Sequence, residues 1–388
     1  MSRGGFLDKK SSATKYSEKI DSIFDEQCSK YGIPYVPAIM DPVDTIVSFG
    51  DIHGDYDLAV DMLESAKLVK YNKDDQDYDW VGGNTYVVQV GDQVDRCRPL
   101  PNGPKCMERG ATENDEDSDV KILELFNRLD KQARKDGGMV ISLLGNHELL
   151  NATGYMHYVS YKGLKGFENY VDPNDPNKKF EDGMEARSHA FAPGNEYGKM
   201  LGCTRYPAVI VGSNIFVHAG IIDGLIRDLE IEGPRDMEEI NAKLRLWLLG
   251  IVKEKKIEHI IDSQDRNSMF WTRVLGRIDP GVPLSSDVCQ NNISQAMQVF
   301  NMSNGERFSM TIGHTPQSFM KSDDINSTCG GKVWRIDNGS SKAFDSFDSR
   351  YVNENTRTDS RRAQYLKIVN DSDFYVCDAN KCTKQKLN

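Results

Sequence analysis

Four short runs of apolar, mostly β-branched residues recur along the chain, and each stops abruptly at a glycine or a histidine. Thr45-Ile46-Val47-Ser48-Phe49 ends at Gly50, and Thr85-Tyr86-Val87-Val88-Gln89-Val90 at Gly91. Met139-Val140-Ile141-Ser142-Leu143-Leu144 ends at Gly145, and Ala208 to Val217 at His218. Runs of this length and composition predict buried strands. Between them, Tyr56 to Leu68 places Leu58, Met62, Leu63 and Ala66 near helical spacing, and Ser118 to Ala133 does the same with Ile122, Leu123, Phe126 and Leu129. Strands alternating with helices predict an α/β fold. The polar residues just beyond each run then sit at the carboxyl ends of strands, where open α/β sheets gather functional groups.

Outside these elements the pattern thins. The first forty or so residues are polar apart from an amphipathic stretch from Ile20 to Phe24, which predicts an extension over 1–44, partly flexible, followed by one catalytic domain over 45–388. Near the end, Ala363 to Val369 and Phe374 to Cys377 flank Asn370-Asp371-Ser372-Asp373, a hairpin assigned to the same domain, and Ser346 to Ser360 looks like a linker. A hydrophobic share of 38% in 388 residues, with 28% charged, is that of a folded globular protein rather than a disordered one. The net charge of −11 argues against a nucleic-acid partner, whose phosphates call for clustered Lys and Arg. No apolar run has the length of a signal core or a membrane span, so the expectation is an intracellular, cytoplasmic protein with no membrane partner. The eight cysteines are scattered, which favours reduced thiols. Cys97 and Cys106, bracketing a Pro/Gly loop, are the pair best placed to bridge.

The strand-end clusters carry the chemistry. Asp51 and His53 flank one residue in Gly50-Asp51-Ile52-His53-Gly54, so on an extended strand end both face the same way and can hold one ion. Asp92, in Gly91-Asp92-Gln93-Val94-Asp95-Arg96, adds a carboxylate able to bridge two ions, and Asn146, in Gly145-Asn146-His147-Glu148, adds a carbonyl oxygen. His218 and His314 close later apolar runs and supply nitrogen ligands. Carboxylate, imidazole and amide donors without thiolate suit Mn, Fe or Zn. His147 is left to face a substrate as general acid, with Asp95 orienting its ring, and Arg96 offers a planar fork for phosphate oxygens.

Taken together, Gly50 to Gly54, Gly91 to Arg96, Gly145 to Glu148, His218-Ala219-Gly220 and Gly313-His314-Thr315 resemble the phosphoprotein phosphatase family of calcineurin-like metallophosphoesterases, and within it the Shewanella-like branch. The resemblance implies a central β-sandwich flanked by helices and a dinuclear centre, most readily loaded with manganese in vitro. By matching motif, Asp51, His53 and Asp92 would hold one metal, and Asp92, Asn146, His218 and His314 the other. His147 with Asp95 would form the acid pair and Arg96 a phosphate clamp. A second clamp would be Arg273, in Phe270-Trp271-Thr272-Arg273, with Arg187 as its rival. The implied reaction is hydrolysis of phosphotyrosine or phosphoserine/threonine in a protein or peptide by a metal-bridging hydroxide, with no regulatory subunit evident. A diadenosine-tetraphosphate hydrolase and a catalytically idle scaffold are the alternatives. The chain departs from the family pattern at Cys97, which stands where glycine usually follows Asp-Arg, and at Ala219; the first puts the shape of the substrate cleft in question.

Overall fold

The computed structural model describes residues 20–386 apart from 254–256, 258–259, 301–306, 321, 323 and 346–361. The linker expected over Ser346 to Ser360 lies outside the described residues. In chain order the strands are β1 (Ile39–Met40), β2 (Thr45–Phe49), β3 (Val69–Asn72), β4 (Asp77–Trp80), β5 (Tyr86–Gln89), β6 (Met139–Leu143), β7 (Arg205–Tyr206) and β8 (Ala208–Val211). They continue as β9 (Asn214–Val217), β10 (Ser309–Ile312), β11 (Asn326–Thr328), β12 (Val333–Arg335), β13 (Tyr365–Val369), β14 (Asp373–Cys377) and β15 (Cys382–Lys384).

Two mixed sheets pack face to face. One has the order β15-β14-β13-β2-β5-β6-β7 and the other β1-β8-β9-β10-β12-β11. In the first, β2, β5, β6 and β7 run parallel, so β2, β5 and β6 present their carboxyl ends together; in the second, β9 and β10 do the same. The side-chain period of two sorts each strand between layers. Ile46, Val88, Ile141, Leu366 and Ile368 meet Val209, Phe216 and Trp334 between the sheets. Their neighbours Val47, Val87 and Val140 turn outward against helices Tyr56–Ser65 and Asp119–Ala133. Ala208, Ile215, Val217, Met310 and Ile312 do likewise on the far face of the second sheet. Strands covered on both faces explain why the runs read as continuous apolar segments rather than alternating ones. Phe216 is fully buried in the inter-sheet layer, where truncation to alanine costs about 3–5 kcal/mol.

Three expectations change. The run Ala208 to Val217 is not one strand: Gly212, at φ +60°, turns it into an antiparallel hairpin of β8 and β9. The part of the N-terminal segment that is described packs on the domain, since Ile20, Phe24 and Cys28 bury against Ala242, Leu246 and Leu249, and β1 pairs with β8. The thiols are not reduced. All eight cysteines are paired, as Cys28–Cys203, Cys97–Cys106, Cys289–Cys329 and Cys377–Cys382. Their scatter in sequence reflects bridges that span 175 and 40 residues, which local spacing could not show; only Cys97–Cys106 stood out there, and the cysteine argument for an intracellular site falls. Among the described residues, no helix is long and apolar enough to cross a membrane.

Candidate metal centre and active site

The turns that follow β2, β5 and β6 lie side by side and hold one another by backbone hydrogen bonds. Ile52 N and His53 N both donate to Asp92 O at 2.9 Å, and Gly54 N donates to Gln93 O at 2.9 Å. Space is so tight that a Cβ at Gly145 would collide with the Asp92 carboxylate. His53, Asp92, Asp95 and His314 all have positive φ, a conformation costing non-glycine residues about 1–3 kcal/mol each. Glu148 maintains the strained Asp92 turn. Its fully buried carboxylate accepts from Gly145 N (2.6 Å), Gln93 N (2.7 Å), Asp92 N (3.0 Å) and Val94 N (3.3 Å). In the sequence Glu148 is only the last residue of the third motif; its place at the third residue of a helix after glycine, where a carboxylate caps free N–H groups, is the signal for this task.

Around this scaffold the anticipated ligands converge, each 6% exposed or less. His218 Nε2 lies 3.3 Å from Asp92 Oδ2 and 2.9 Å from Asn146 Oδ1. Its Nδ1–H donates to Val90 O at 2.8 Å, so Nε2 is the nitrogen turned toward the centre. His53 Nε2 stands 3.7 Å from Asp51 Oδ2 and 3.8 Å from Asp92 Oδ2. His314 N donates to Asp51 Oδ2 at 3.0 Å, tying the two sheets together at the site. Two groups present donor atoms close enough to share an ion: His53, Asp92 and His147, and Asp92, His218 and His314.

The electrostatics fit a pair of divalent cations. Burial, then the charges of Asp337 and Asp92, pushes the Asp51 carboxyl up, while burial pushes the His53 and His314 imidazoles well down, with Arg98 and Arg273 adding to it. Asp51, His53 and His314 are thus driven toward neutrality, whereas for Asp92 and His218 burial is outweighed by their mutual attraction, which lowers the Asp92 carboxyl and raises the His218 imidazole. Among the described residues, the buried His53 Nδ1 and Asp337 Oδ2 find no hydrogen-bond partner. Asp337, which the resemblance to the branch includes only as part of the segment Arg335 to Ser341 and without a task, is a further buried acid, its carboxyl raised to about 6 by burial and by Asp92.

His147 and Asp95 meet. His147 Nδ1 is 2.7 Å from Asp95 Oδ2, and Asp95 Oδ1 accepts from Asn151 Nδ2 at 2.9 Å. The ring is thereby oriented with Nε2 toward the cavity, 3.9 Å from Asp92 Oδ2. That cavity, of about 350 Å³, is lined by His53, Asp92, Asn146, His147 and His314, with Arg273 on its wall. A larger cleft of about 620 Å³, lined by Tyr31, Tyr56, Lys121 and Arg128 among others, contains none of these groups.

The arginines divide. Arg273 lines the cavity, its Nη1 donating to His314 O at 2.7 Å. Arg187 is buried behind the acid pair, with Nη2 2.6 Å from Asp119 Oδ2 and 3.5 Å from Asp95 Oδ1, and does not reach the cavity. Arg96 does not line it either; its Nη1 lies 2.9 Å from Glu116 Oε1 and donates to Gly54 O at 3.1 Å.

A family model described as calcineurin-like phosphoesterase matches residues 45–265. The chain is 33% identical, over 66% of its length and 98% of the other, to an uncharacterised protein of Acanthamoeba polyphaga mimivirus. It is 28% identical to the Shewanella-like protein phosphatase 1 of Plasmodium berghei, over 84% of this chain and 74% of that one. The crystal structure of a cold-active protein-tyrosine phosphatase from a psychrophilic Shewanella superposes with a TM-score of 0.60 at 18% identity, covering 90% of this chain and 83% of that one, which shows a shared fold. With strand-end acids and imidazoles converging on one cavity and this match over more than half its length, the chain belongs to the calcineurin-like phosphoesterase family.

Proposed function

We propose that the protein is a metal-dependent phosphoprotein phosphatase that hydrolyses phosphomonoesters of tyrosine, serine or threonine. The observation that carries this reading is the pairing of His147 with Asp95 at 2.7 Å on the wall of the cavity whose floor holds Asp92 and its imidazole neighbours. A leaving oxygen needs a proton as the P–O bond breaks, and a carboxylate-oriented imidazole beside the ion-binding groups can deliver one. The name of the Plasmodium berghei relative, a protein phosphatase that aligns over 84% of this chain, supports a phosphoprotein substrate.

Asp51, His53 and Asp92 would hold one divalent ion, and Asp92, Asn146, His218 and His314 the other. When bound, the ions supply Lewis acidity toward the phosphoryl oxygens and acidify a water for in-line attack. The chain's own residues do the rest. Asp92 spans the two groups of ligands, Glu148 keeps its turn in place, Val90 O fixes the tautomer of His218, and Asp95 holds the proton-donating ring. Arg273 offers its charge to the equatorial oxygens as negative charge shifts toward the leaving group.

Purified protein, stripped with chelator and reloaded with Mn²⁺, should release nitrophenol from an aryl phosphate and lose that activity on chelation. Absence of turnover with Mn²⁺, Fe²⁺ or Zn²⁺ would sink the reading. Parallel assays on phosphotyrosine and phosphothreonine peptides rank the substrates, and hydrolysis confined to diadenosine tetraphosphate would replace the reading with that activity.

A further inference from the structure

Two arginines separated by one residue, Arg96 and Arg98, meet different fates. Arg96 is saturated. Beyond its bonds to Glu116 and Gly54, its Nη2 donates to Asn114 O at 3.0 Å and its Nη1 lies 3.4 Å from Asp55 Oδ1, all in a site 2% exposed. It pins the Gly54 turn to the loop before helix Asp119–Ala133. Arg98 turns the other way and lines the cavity with His53, Asp92, His147 and Arg273.

The guanidinium of Arg98 is aimed by its surroundings. Nη1 donates to Cys97 O at 2.8 Å and to Asp95 O at 3.0 Å. The plane lies over the Phe344 ring, 4.9 Å from its centroid, and 5.9 Å from that of Tyr158. No described residue accepts from Nε or Nη2, which together form the edge of a guanidinium that matches two oxygens of a phosphate. The backbone beneath is fixed as well: Cys97 N donates to Tyr158 O at 3.0 Å, and the Cys97–Cys106 bridge closes the loop that carries Arg98. At the position where glycine usually follows Asp-Arg, this chain therefore places a bridged cysteine with an arginine behind it.

We propose that Arg98, and not Arg96, grips the phosphoryl oxygens of the substrate from the wall it shares with Arg273, and that the Cys97–Cys106 bridge sets its reach. The proposal rests on the phosphatase reading above. Its ligand is the phosphomonoester dianion, with inorganic phosphate as the product-like probe.

The test compares metal-loaded wild type with Arg98→Met and Arg98→Lys. It measures KM and kcat on an aryl phosphate, inhibition by inorganic phosphate, metal content and melting temperature. Loss of a bidentate, charge-assisted contact should raise KM and the phosphate inhibition constant about 10–100-fold in Arg98→Met, at unchanged metal content and melting temperature, with part of the affinity recovered in Arg98→Lys. Values within twofold of wild type for both constants in Arg98→Met overturn the proposal while leaving the phosphatase reading intact. Should Arg98→Met lose metal or unfold, Arg98→Lys decides: a weakening of about threefold or more supports the proposal, and less overturns it. If the wild type itself shows no turnover, the phosphatase reading fails, and calorimetric titration of inorganic phosphate into the metal-loaded proteins still decides the part played by Arg98.

Discussion

The floor and the rim of the cavity are made by different means. Floor groups such as Asp51, Asp92, Asn146, His218 and His314 leave the ends of strands in both sheets, are almost wholly buried, and are held by backbone hydrogen bonds and Glu148. Rim groups such as Arg98, Tyr158, Trp271 and Arg273 stand on loops, half-buried, and are positioned by ring contacts, a carbonyl or two and a disulfide. The floor is over-determined by the fold, so it can carry strained backbone and wait preformed for ions. The rim depends on side chains. It can change without disturbing the centre below.

If that division is right, damage should scale with depth. Asp92→Ala removes the group that reaches His53, His147 and His218 at once, and should lose bound metal and on the order of 10⁴ in turnover; elemental analysis with kinetics checks it. His147→Asn should cost roughly 10²–10⁴ in turnover with metal content intact, and loss of metal in that variant would break the separation of acid from ligands. A third effect concerns stability in the metal-free protein. The raised Asp337 carboxyl binds its proton more tightly folded than unfolded, so its contribution is complete near pH 4 and is lost as pH rises through about 6. Asp337→Asn should therefore gain about 1–3 kcal/mol over wild type at pH 8 and nothing at pH 4 in denaturant melts. The gentlest intervention falls on the rim: Cys97→Ser with Cys106→Ser should raise KM roughly three- to tenfold and leave kcat and metal content alone, since only the loop is loosened. An equal fall in kcat would show that rim and floor are not separable.

The floor was legible in the sequence because its residues are tied to strand ends, and buried parallel strands announce themselves as apolar runs that stop at glycine. Asp51, His53, Asp92 and Asn146 stand at or just beyond those boundaries, and His218 and His314 do too but stand out only beside the first three motifs. Where the backbone turned without an apolar boundary, the reading failed: Gly212-Ser213 was read through as strand, although a glycine before a polar residue is a turn signal. Glu148 and Asp337 act on backbone N–H groups and on charges that meet only in three dimensions. Arg96 was read from its motif as a phosphate clamp, yet which of two neighbouring arginines faces the cavity depends on the course of a loop. That course is set by the Cys97–Cys106 bridge, whose two ends the sequence singles out without showing which way the loop between them turns.

The four bridges also bear on how the molecule can be made. Each one forms by giving up an electron pair to an oxidant, and a thiol-buffered cytosol offers no steady acceptor. Material produced there would lack the staple between Cys28 and Cys203 and the bridge under Arg98, and its measured affinity would understate that of the oxidised chain. An oxidising expression host, or controlled oxidative refolding, is as much a cofactor of this enzyme's assembly as its metal is of its chemistry.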